Sequence, residues 1–417
     1  ARGRMLEENK EDAGDFSDWL SQTPYIRKKP WLFYLALLIS LVSLTVITAG
    51  ILQPDLFIML LLILIFNFLV LSPFLARTNR YQSVISRKHQ MLEGYAELLQ
   101  LMAAAGFTHP VWMERAQKAS RGMEEVLRLS LLLNLFAQRL SMLLGVIFNG
   151  LFLFDFIMLY LLENWKGRNR EEILGWIESI GQTDAMISLA GFAFNHPGFV
   201  TPEIPDQKEG ITRELEFRQL GHPLIPDAKR VDNDLSLDGE KVVVITGANM
   251  AGKSTFLRSV GVNMVLAYAG CPVCATRFRT GFARLRSSMR TADSLKDEES
   301  YFMAEIRKLH HIVSDMDQGK PLLILLDEVL KGTNTTDKKR GSVGLIRRMI
   351  QHRVCCLIAT HDLSLGELES EYPGQVVSHC FESFMEGMEL RFDYKIRPGI
   401  ATHMNASFLM KKMGILD

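Results

Sequence analysis

The sequence has no excess of charge of either sign and few cysteines. Its 417 residues include 47 basic and 47 acidic side chains, so the formal net charge is zero at pH 7. A chain without a global basic field gives little support to a nucleic-acid partner. The five cysteines all lie beyond residue 270, and Cys271 and Cys274 have the spacing of half a zinc or redox site. Because no second Cys or His pair accompanies them, we expect buried small side chains and no structural disulfides.

Charge is also absent from two long stretches near the N-terminus. Residues 31–52 carry no charged side chain, and residues 56–76 carry none and a single amide, Asn67. At about 1.5 Å per residue each stretch spans about 31–33 Å as a helix, which matches a bilayer core of about 30 Å. A pair of buried core helices is the alternative, but apolar residues on every helix face favour a membrane.

The residues around these stretches predict a helical hairpin that enters the membrane from the cytoplasm. Only residues 53–55 separate the two stretches, so their outer ends lie on one side. Basic residues flank both outer ends: Arg27, Lys28, Lys29, Arg77, Arg80, Arg87 and Lys88. Basic flanks mark the cytoplasmic side, and two long apolar stretches in succession do not fit a signal peptide. We therefore expect a transmembrane hairpin over 31–76, after a polar segment over 1–30. The chain begins with Ala, and we expect a processed or truncated piece.

Residues 77–200 predict an almost wholly helical region. Apolar side chains between Met91 and Met102 recur at helical spacing. The apolar stretch 143–162 could be a third membrane span, but it contains Asp155. Because an intramembrane carboxylate is costly, we favour a helix buried among other helices.

A glycine-bracketed loop follows an apolar strand pattern at residues 242–245. The loop ends in Lys253 and Ser254, and a helical pattern continues from residue 256 to 269. Glycines let backbone N–H groups point at phosphate oxygens, and the following helix presents its positive end. This arrangement is typical of a P-loop that binds a nucleoside triphosphate, with the lysine on the β- and γ-phosphates and the serine on Mg²⁺; an ordinary glycine turn is the alternative. The predicted nucleotide-binding residues are Gly247, Ala248, Asn249, Met250, Ala251, Gly252, Lys253, Ser254 and Thr255.

Two further apolar strand patterns end in chemically active side chains. Residues 321–326 precede Asp327 and Glu328, and residues 355–360 precede His361. Carboxyl ends of parallel strands meet at one edge of a sheet, where ligands bind. We expect Asp327 to hold Mg²⁺, Glu328 to act as general base on the attacking water, and His361 to contact the γ-phosphate. Solvated helix-start carboxylates and a structural histidine are the alternatives.

These motifs, in this order, resemble the ATPase domain of the MutS mismatch-repair family. The matching segments are residues 221–225, 246–255, 297–305, 326–328, 332–335 and 359–361. The resemblance runs from about residue 211 to 415, and residues 81–200 resemble the family's core and lever helices more weakly. It implies an α/β P-loop NTPase domain (ABC-like, MutS-type) over 201–417, preceded by an all-α core/lever region over 77–200 and by the transmembrane hairpin.

The resemblance also implies Mg²⁺-dependent ATP hydrolysis in a homodimer whose sites are completed by the partner subunit. Ser300, at a helix start, would approach the γ-phosphate of the opposite subunit, as helix N-termini suit anions; an ordinary N-cap is the alternative. Asn249 would lie near the nucleotide, and His361 would be the switch histidine. The preference for ATP over GTP comes from the resemblance.

Several departures from the family pattern limit the resemblance. Ala248 and Ala251 replace a common proline and glycine, and Arg230 lies near where an adenine-stacking aromatic is often found. Nothing resembles the family's mismatch-reading or connector domain. We therefore expect a membrane-anchored MutS-like branch in a bacterial inner membrane, with the ATPase domain in the cytoplasm. Double-stranded DNA and an unknown membrane or protein partner both stay open. The alternative functions are a nucleotide-gated membrane scaffold and an ABC-type ATPase that acts on a membrane partner without DNA; the Leu-Ser-Gly-Gly-Gln type of ABC-transporter signature is absent.

Overall fold

The computed structural model describes residues 18–76, 78–79, 89–205, 215–237, 239, 241–289, 301–330, 333–386 and 389–402. The chain divides into two compact units, Ala1–Ser188 and Leu189–Asp417. The described part of the first unit is helical, whereas the second unit is built around two β-sheets.

The main helices of the first unit begin with an apolar pair. They are α1 Pro30–Leu52, α2 Phe57–Leu71, α3 His89–Ala104, α4 Pro110–Ala137, α5 Met142–Phe152 and α6 Phe154–Asn195. Proline occupies the first position of α1, where its missing N–H costs nothing. Short 3₁₀ turns at Pro54–Leu56 and Ser72–Phe74 flank α2. Two helical segments, Pro30–Leu52 and Pro54–Phe74, are long and apolar enough to cross a membrane.

The apolar stretch 143–162 is not one helix. Leu153 adopts a left-handed conformation with φ 47°, and the axes of α5 and α6 differ in direction by 85° at this break. The start of α6 is buried at Phe156 and Leu162. In α5, by contrast, Leu143 is largely exposed. The expectation of a helix buried among other helices is therefore correct for the start of α6, whereas in α5 only the C-terminal end is buried.

Buried charges on α6 hold the segment that precedes α1. The carboxylate of Glu163 accepts the backbone N–H groups of Tyr25 and Arg27 at 2.8 and 2.7 Å. The Lys166 ammonium donates to the carbonyl oxygens of Trp19 and Gln22 at 3.1 and 2.9 Å. Buried polar groups need such partners, so these bonds fix the chain where α1 begins.

The second unit contains a six-stranded and a three-stranded sheet. The strands are β1 Leu215–Leu220, β2 Asn233–Leu237, β3 Val242–Gly247, β4 Arg277–Thr280, β5 Arg284–Ser288, β6 Leu322–Asp327, β7 Cys355–Ala359, β8 Val376–Glu386 and β9 Glu389–Pro398. The large sheet has the order β5-β6-β7-β3-β8-β9, with β9 antiparallel and the other pairings parallel. The antiparallel strands β2-β1-β4 form the small sheet. The three predicted apolar strands are confirmed as β3, β6 and β7.

Helices cover both faces of the large sheet. They are α7 Lys253–Tyr268, α8 Tyr301–Asp317, α9 Thr335–Gln351 and the short α10 Leu368–Glu371. Val243 and Ile245 of β3 pack in one core with α7, whereas Val242 and Val244 pack in a second core with α8 and α9. Every residue of β3, β6 and β7 is consequently buried, as expected for parallel strands between helical layers. Their carboxyl ends lie at one edge of the sheet.

The five cysteines are buried, and none of them forms a disulfide. Burial raises the pKa of Cys274 to about 11, so this thiol stays protonated at neutral pH. The expectation of buried small side chains at Cys271 and Cys274 is confirmed.

Candidate functional site

The loop between β3 and α7 requires glycine at both ends. Gly247 has φ +148°, and a Cβ atom there would lie 2.6 Å from the carbonyl oxygen of Phe381. Gly252 has φ +106° and is the N-cap of α7. A side chain at either position would strain the backbone. The two glycines therefore let the chain turn tightly from the central strand into the helix.

Lys253 is the first residue of α7 and folds back over this loop. Its side chain is buried, and its ammonium donates to the carbonyl oxygens of Gly247 and Ala248 at 2.6 and 2.9 Å. Ser254 and Thr255 follow in the first turn. The loop thus combines a buried ammonium, hydroxyl groups and the positive end of a 16-residue helix, which together favour an anion.

The ends of β6 and β7 bring Glu328 and His361 together. The Glu328 N–H donates to the carbonyl oxygen of Ala359 at 2.9 Å. A Glu328 carboxylate oxygen lies 3.4 Å from Nδ1 of His361, without hydrogen-bond geometry. The other ring nitrogen of His361 lies 3.5 Å from the Lys338 ammonium. Asp327, the last residue of β6, is buried beside Ala359 of β7.

The backbone at Glu328 is unusual for a residue with a side chain. Its φ is +53°, and that of Leu330 is +60°. Such a conformation costs of order 1–3 kcal/mol and tends to occur at functional sites. The buried carboxylate of Glu305, on α8, accepts the N–H of Leu330 at 2.7 Å and so holds this turn. The sequence analysis assigned no role to Glu305, although Glu305 is the last residue of the matching segment 297–305.

A cavity of about 580 Å³ lies against the loop, within the range of small-molecule sites. One wall is formed by residues 249–256 together with Glu328. A second wall contains side chains from distant parts of the sequence: His222, Ile225, Arg230, Asn233, Phe381 and Tyr394. Among the described residues that line this cavity, neither Asp327 nor His361 is present. The cavity therefore joins the predicted loop and Glu328 to a second wall, of which the sequence analysis had singled out only the segment 221–225 and Arg230.

Tyr394 supplies an aromatic ring to that wall. It has φ +56° and is partly exposed, and its ring would lie 3.1 Å from a Cβ atom at Gly252. Asn233 fixes this part of β9, since its side chain donates to the Tyr394 carbonyl at 3.0 Å and accepts the Ile396 N–H at 2.7 Å. No sequence signal marks Tyr394 as a cavity residue; only the fold brings it here.

The charges on the same wall are mostly neutralised. Arg230 donates to Asp232 at 2.7 Å and pairs with Asp227, and the bond to Asp232 raises its pKa. Burial, and then the nearby charge of Arg258, lower the pKa of His222. His222 is therefore neutral at pH 7. Ser300 and Gly332 lie outside the described residues.

The chain is similar to proteins named for DNA mismatch repair. Residues 243–411 match the family model MutS domain V. The chain is 31% identical over 254 residues to the DNA mismatch repair protein MutS of Thermotoga maritima, covering 60% of this chain and 31% of that protein. It is 33% identical over 201 residues to the MutS protein of Chlorobium phaeovibrioides, covering 48% and 23%. It is 30% identical over 234 residues to the mismatch repair protein MSH3 of Vanderwaltozyma polyspora, covering 54% and 22%. The chain thus spans less than a third of the length of these relatives.

Proposed function

We propose that this chain, which belongs to the MutS family through its domain V, is a membrane-anchored ATPase. It would bind and hydrolyse Mg²⁺-ATP at the edge of the six-stranded sheet. The observation that carries this proposal is a single cavity of about 580 Å³ lined by both Lys253 and Glu328. These residues are 75 positions apart in the sequence, and phosphate binding and water activation require both.

The loop 247–255 would hold the phosphates. Its backbone N–H groups and the start of α7 stabilise negative charge, and the Lys253 ammonium would exchange its loop carbonyl partners for phosphate oxygens. Mg²⁺ takes a few protein oxygens and completes its shell with phosphate and water. Ser254 and Asp327 fit that requirement as one hydroxyl and one carboxylate.

Glu328 would activate the attacking water. Its carboxylate is mostly buried, and the bond of its N–H to Ala359 and the turn held by Glu305 fix its backbone. A base held in this way needs little reorganisation when the proton is transferred. His361, 3.4 Å from this carboxylate, would sense the γ-phosphate through Glu328.

The cavity wall that contains Tyr394 would receive the adenine base of ATP. Its ring offers a flat apolar face, while Arg230 is engaged by Asp232 and Asp227. The adenine-stacking role that the family gives to a residue near Arg230 would thus pass to Tyr394. The choice of ATP over GTP follows the family.

The partners are proposed from the family and from the hairpin. A homodimer would form through the ATPase domains, with Ser300 of each subunit serving the opposite site. Helices α1 and α2 would lie in a bacterial inner membrane, because only 17% and 11% of their most apolar windows are buried. Duplex DNA is a candidate because the relatives are named for mismatch repair. A scaffold or membrane-partner role without DNA is the second candidate, favoured by the zero net charge.

ATP turnover of the solubilised full chain tests this proposal. Glu328→Gln should lower turnover by about 10²–10⁴-fold, the contribution of a general base, while nucleotide binding is retained. Glu367→Gln removes an exposed carboxylate of the same unit and should leave turnover unchanged. Turnover that rises with duplex DNA would support a DNA-processing role, whereas turnover indifferent to DNA would favour a membrane partner. Equal turnover in wild type and Glu328→Gln would contradict the proposed base.

A further inference from the structure

Helix α5 lies against the proposed membrane hairpin. It contains 11 residues, none of them charged, and it packs against both α1 and α2. A Cβ atom on Gly150 would lie 3.0 Å from Leu64 and 3.2 Å from Phe68 of α2. Small residues at such contacts let two helices approach closely, as is common in membranes.

The last four backbone carbonyls of α5 each lie within hydrogen-bond distance of a donor. A helix leaves its last four carbonyls without partners inside the helix. Here the Leu153 N–H donates to the carbonyl of Asn149 at 3.2 Å. The hairpin supplies donors near the other three: Gly150 accepts from Asn67 at 2.8 Å and Leu151 from Ser43 at 2.6 Å. The Phe152 carbonyl lies 3.1 Å from the Ser40 hydroxyl, which is closer, at 2.7 Å, to the Ala36 carbonyl of its own helix.

This pairing is what a water-free environment demands. Each unsatisfied backbone group in lipid costs several kcal/mol, so broken helices occur at membrane depth only where neighbours satisfy them. Asn67 and Ser43 are fully buried. They are among the few polar residues in two long apolar helices, and each donates a hydrogen bond to a carbonyl at the C-terminal end of α5.

The N-terminal part of α5 is apolar and uncovered. Leu143 is 71% exposed, and Val146 and Ile147 are also exposed. Because α5 packs against α1 and α2, these three exposed side chains extend the exposed apolar surface of the hairpin. A surface of this kind in water would be unfavourable.

The length and flanks of α5 exclude a full crossing. Eleven residues span about 16 Å, roughly half of a bilayer core. Beyond the bend, α6 leads to Glu163 and Lys166, which bind the segment before α1. The charges flanking α5 are paired with each other, since Arg139 lies 3.1 Å from Asp155. Both side chains are nearly inaccessible, as tolerated near lipid.

We propose that α5 is a third membrane-embedded element, a half-length re-entrant helix whose face of Leu143, Val146 and Ile147 contacts the lipid acyl chains. It enters and returns on the side where α1 begins. Its C-terminal end lies roughly 10–20 Å from that side, by the positions of Ser40, Ser43 and Asn67 along their helices at about 1.5 Å per residue. This inference rests on the proposed membrane hairpin.

Fluorescence quenching by lipid-borne nitroxides tests it on the full chain in liposomes. Leu143→Cys carries an NBD label on α5, Leu38→Cys reports the hairpin, and Leu131→Cys on α4 is the aqueous control. Leu38 and Leu131 are equally exposed at 59%, and the five native cysteines are buried, so unmodified protein gives the labelling background. Acyl-chain nitroxides should remove the fluorescence at positions 143 and 38 and spare position 131. Val146→Cys repeats the test if Leu143→Cys does not fold.

The possible results separate the two proposals. Quenching at position 38 without quenching at 143 and 146 would overturn the re-entrant helix and leave the hairpin intact. Quenching at none of these positions would overturn both. A disulfide-linked dimer through Leu143→Cys without quenching would assign this face to a second copy of the chain and overturn the lipid contact.

Discussion

The apolar side chains of the hairpin and of the central strands have opposite surroundings. Every residue of β3 and β6 is buried between helices, whereas only 17% and 11% of the most apolar windows of the hairpin are buried. Both regions consist mainly of Leu, Ile and Val. In the sheet these side chains pack against protein, which stabilises the fold by about 25 cal/mol per Å² of apolar surface buried. The hairpin leaves the same kind of surface uncovered, and a lipid bilayer is the partner that we propose for it.

The polar side chains of the two regions differ in the same way. In the hairpin, Ser43 and Asn67 each donate to a backbone carbonyl of α5, and the Ser40 hydroxyl lies 3.1 Å from a third. In the second unit, Lys253 and Glu328 gather at strand ends and line a cavity. One region uses polar groups to close backbone ends, and the other presents them to a ligand.

Truncating a leucine in each region gives the largest contrast. Leu325→Ala in β6 should lower the free energy of unfolding by about 2–5 kcal/mol, because it leaves a cavity in a closed core. Leu62→Ala, in exposed α2, should change it by less than about 0.5 kcal/mol. Denaturant titrations can follow each region separately. The reactivity of the buried Cys356 thiol reports unfolding of the sheet. Tryptophan fluorescence reports unfolding of the first unit, which holds all five tryptophans. An equal loss of unfolding free energy in Leu325→Ala and Leu62→Ala would contradict the contrast between the two regions.

Placing a charge on the exposed hairpin tests the bilayer directly. Leu62→Lys should cost about 2.5–3.5 kcal/mol of membrane insertion and shift protein from the membrane fraction. Leu101→Lys on α3 is the matched control, since Leu101 is 60% exposed and Leu62 is 62% exposed. Fractionation of cells that express each variant measures the shift. Equal membrane fractions for both variants would mean that α2 does not lie in lipid.

Removing a donor from the hairpin sharpens its role in closing α5. Asn67→Leu leaves the carbonyl of Gly150 buried without its donor and should cost about 1–3 kcal/mol. Thr45→Val removes an exposed hydroxyl bonded within its own helix and should cost less than about 0.5 kcal/mol. Tryptophan fluorescence during denaturation in detergent measures both. A neutral Asn67→Leu would show that the bond to Gly150 contributes nothing.

A pH dependence in the second unit is the smallest predicted effect. Hydrogen bonds from Lys320 and Arg286 lower the pKa of Asp315 from 3.8 to about 2. The folded state therefore favours the carboxylate, and the resulting stability is present above about pH 4 and lost as pH falls toward 2. Scanning calorimetry should show wild type more stable than Asp315→Asn above pH 4, with the difference shrinking below it. A difference independent of pH would contradict the assignment.

The sequence alone predicted the elements that depend on local pattern. The strands β3, β6 and β7 are apolar runs of strand length, and two apolar runs of helix length became α1 and α2. Gly247 and Gly252 were expected to bracket the loop because only glycine accepts its conformation, and both have positive φ.

Features that depend on distant contacts were not predicted. The bend at Leu153 is stabilised by Ser40, Ser43 and Asn67, which lie more than 80 positions away. Tyr394 reaches the cavity because Asn233 binds its strand from 161 positions earlier. The positive φ of Glu328 has no local signal, since glutamate does not favour it.

ATP turnover in membranes washed with alkaline carbonate tests the central claim of a membrane-anchored ATPase most directly. Carbonate removes peripheral proteins, so activity that stays in the pellet belongs to an inserted chain. We predict that wild-type turnover remains in the pellet and falls by about 10²–10⁴-fold in Glu328→Gln. Recovery of the protein in the supernatant, or equal turnover in the two pellets, would contradict the account.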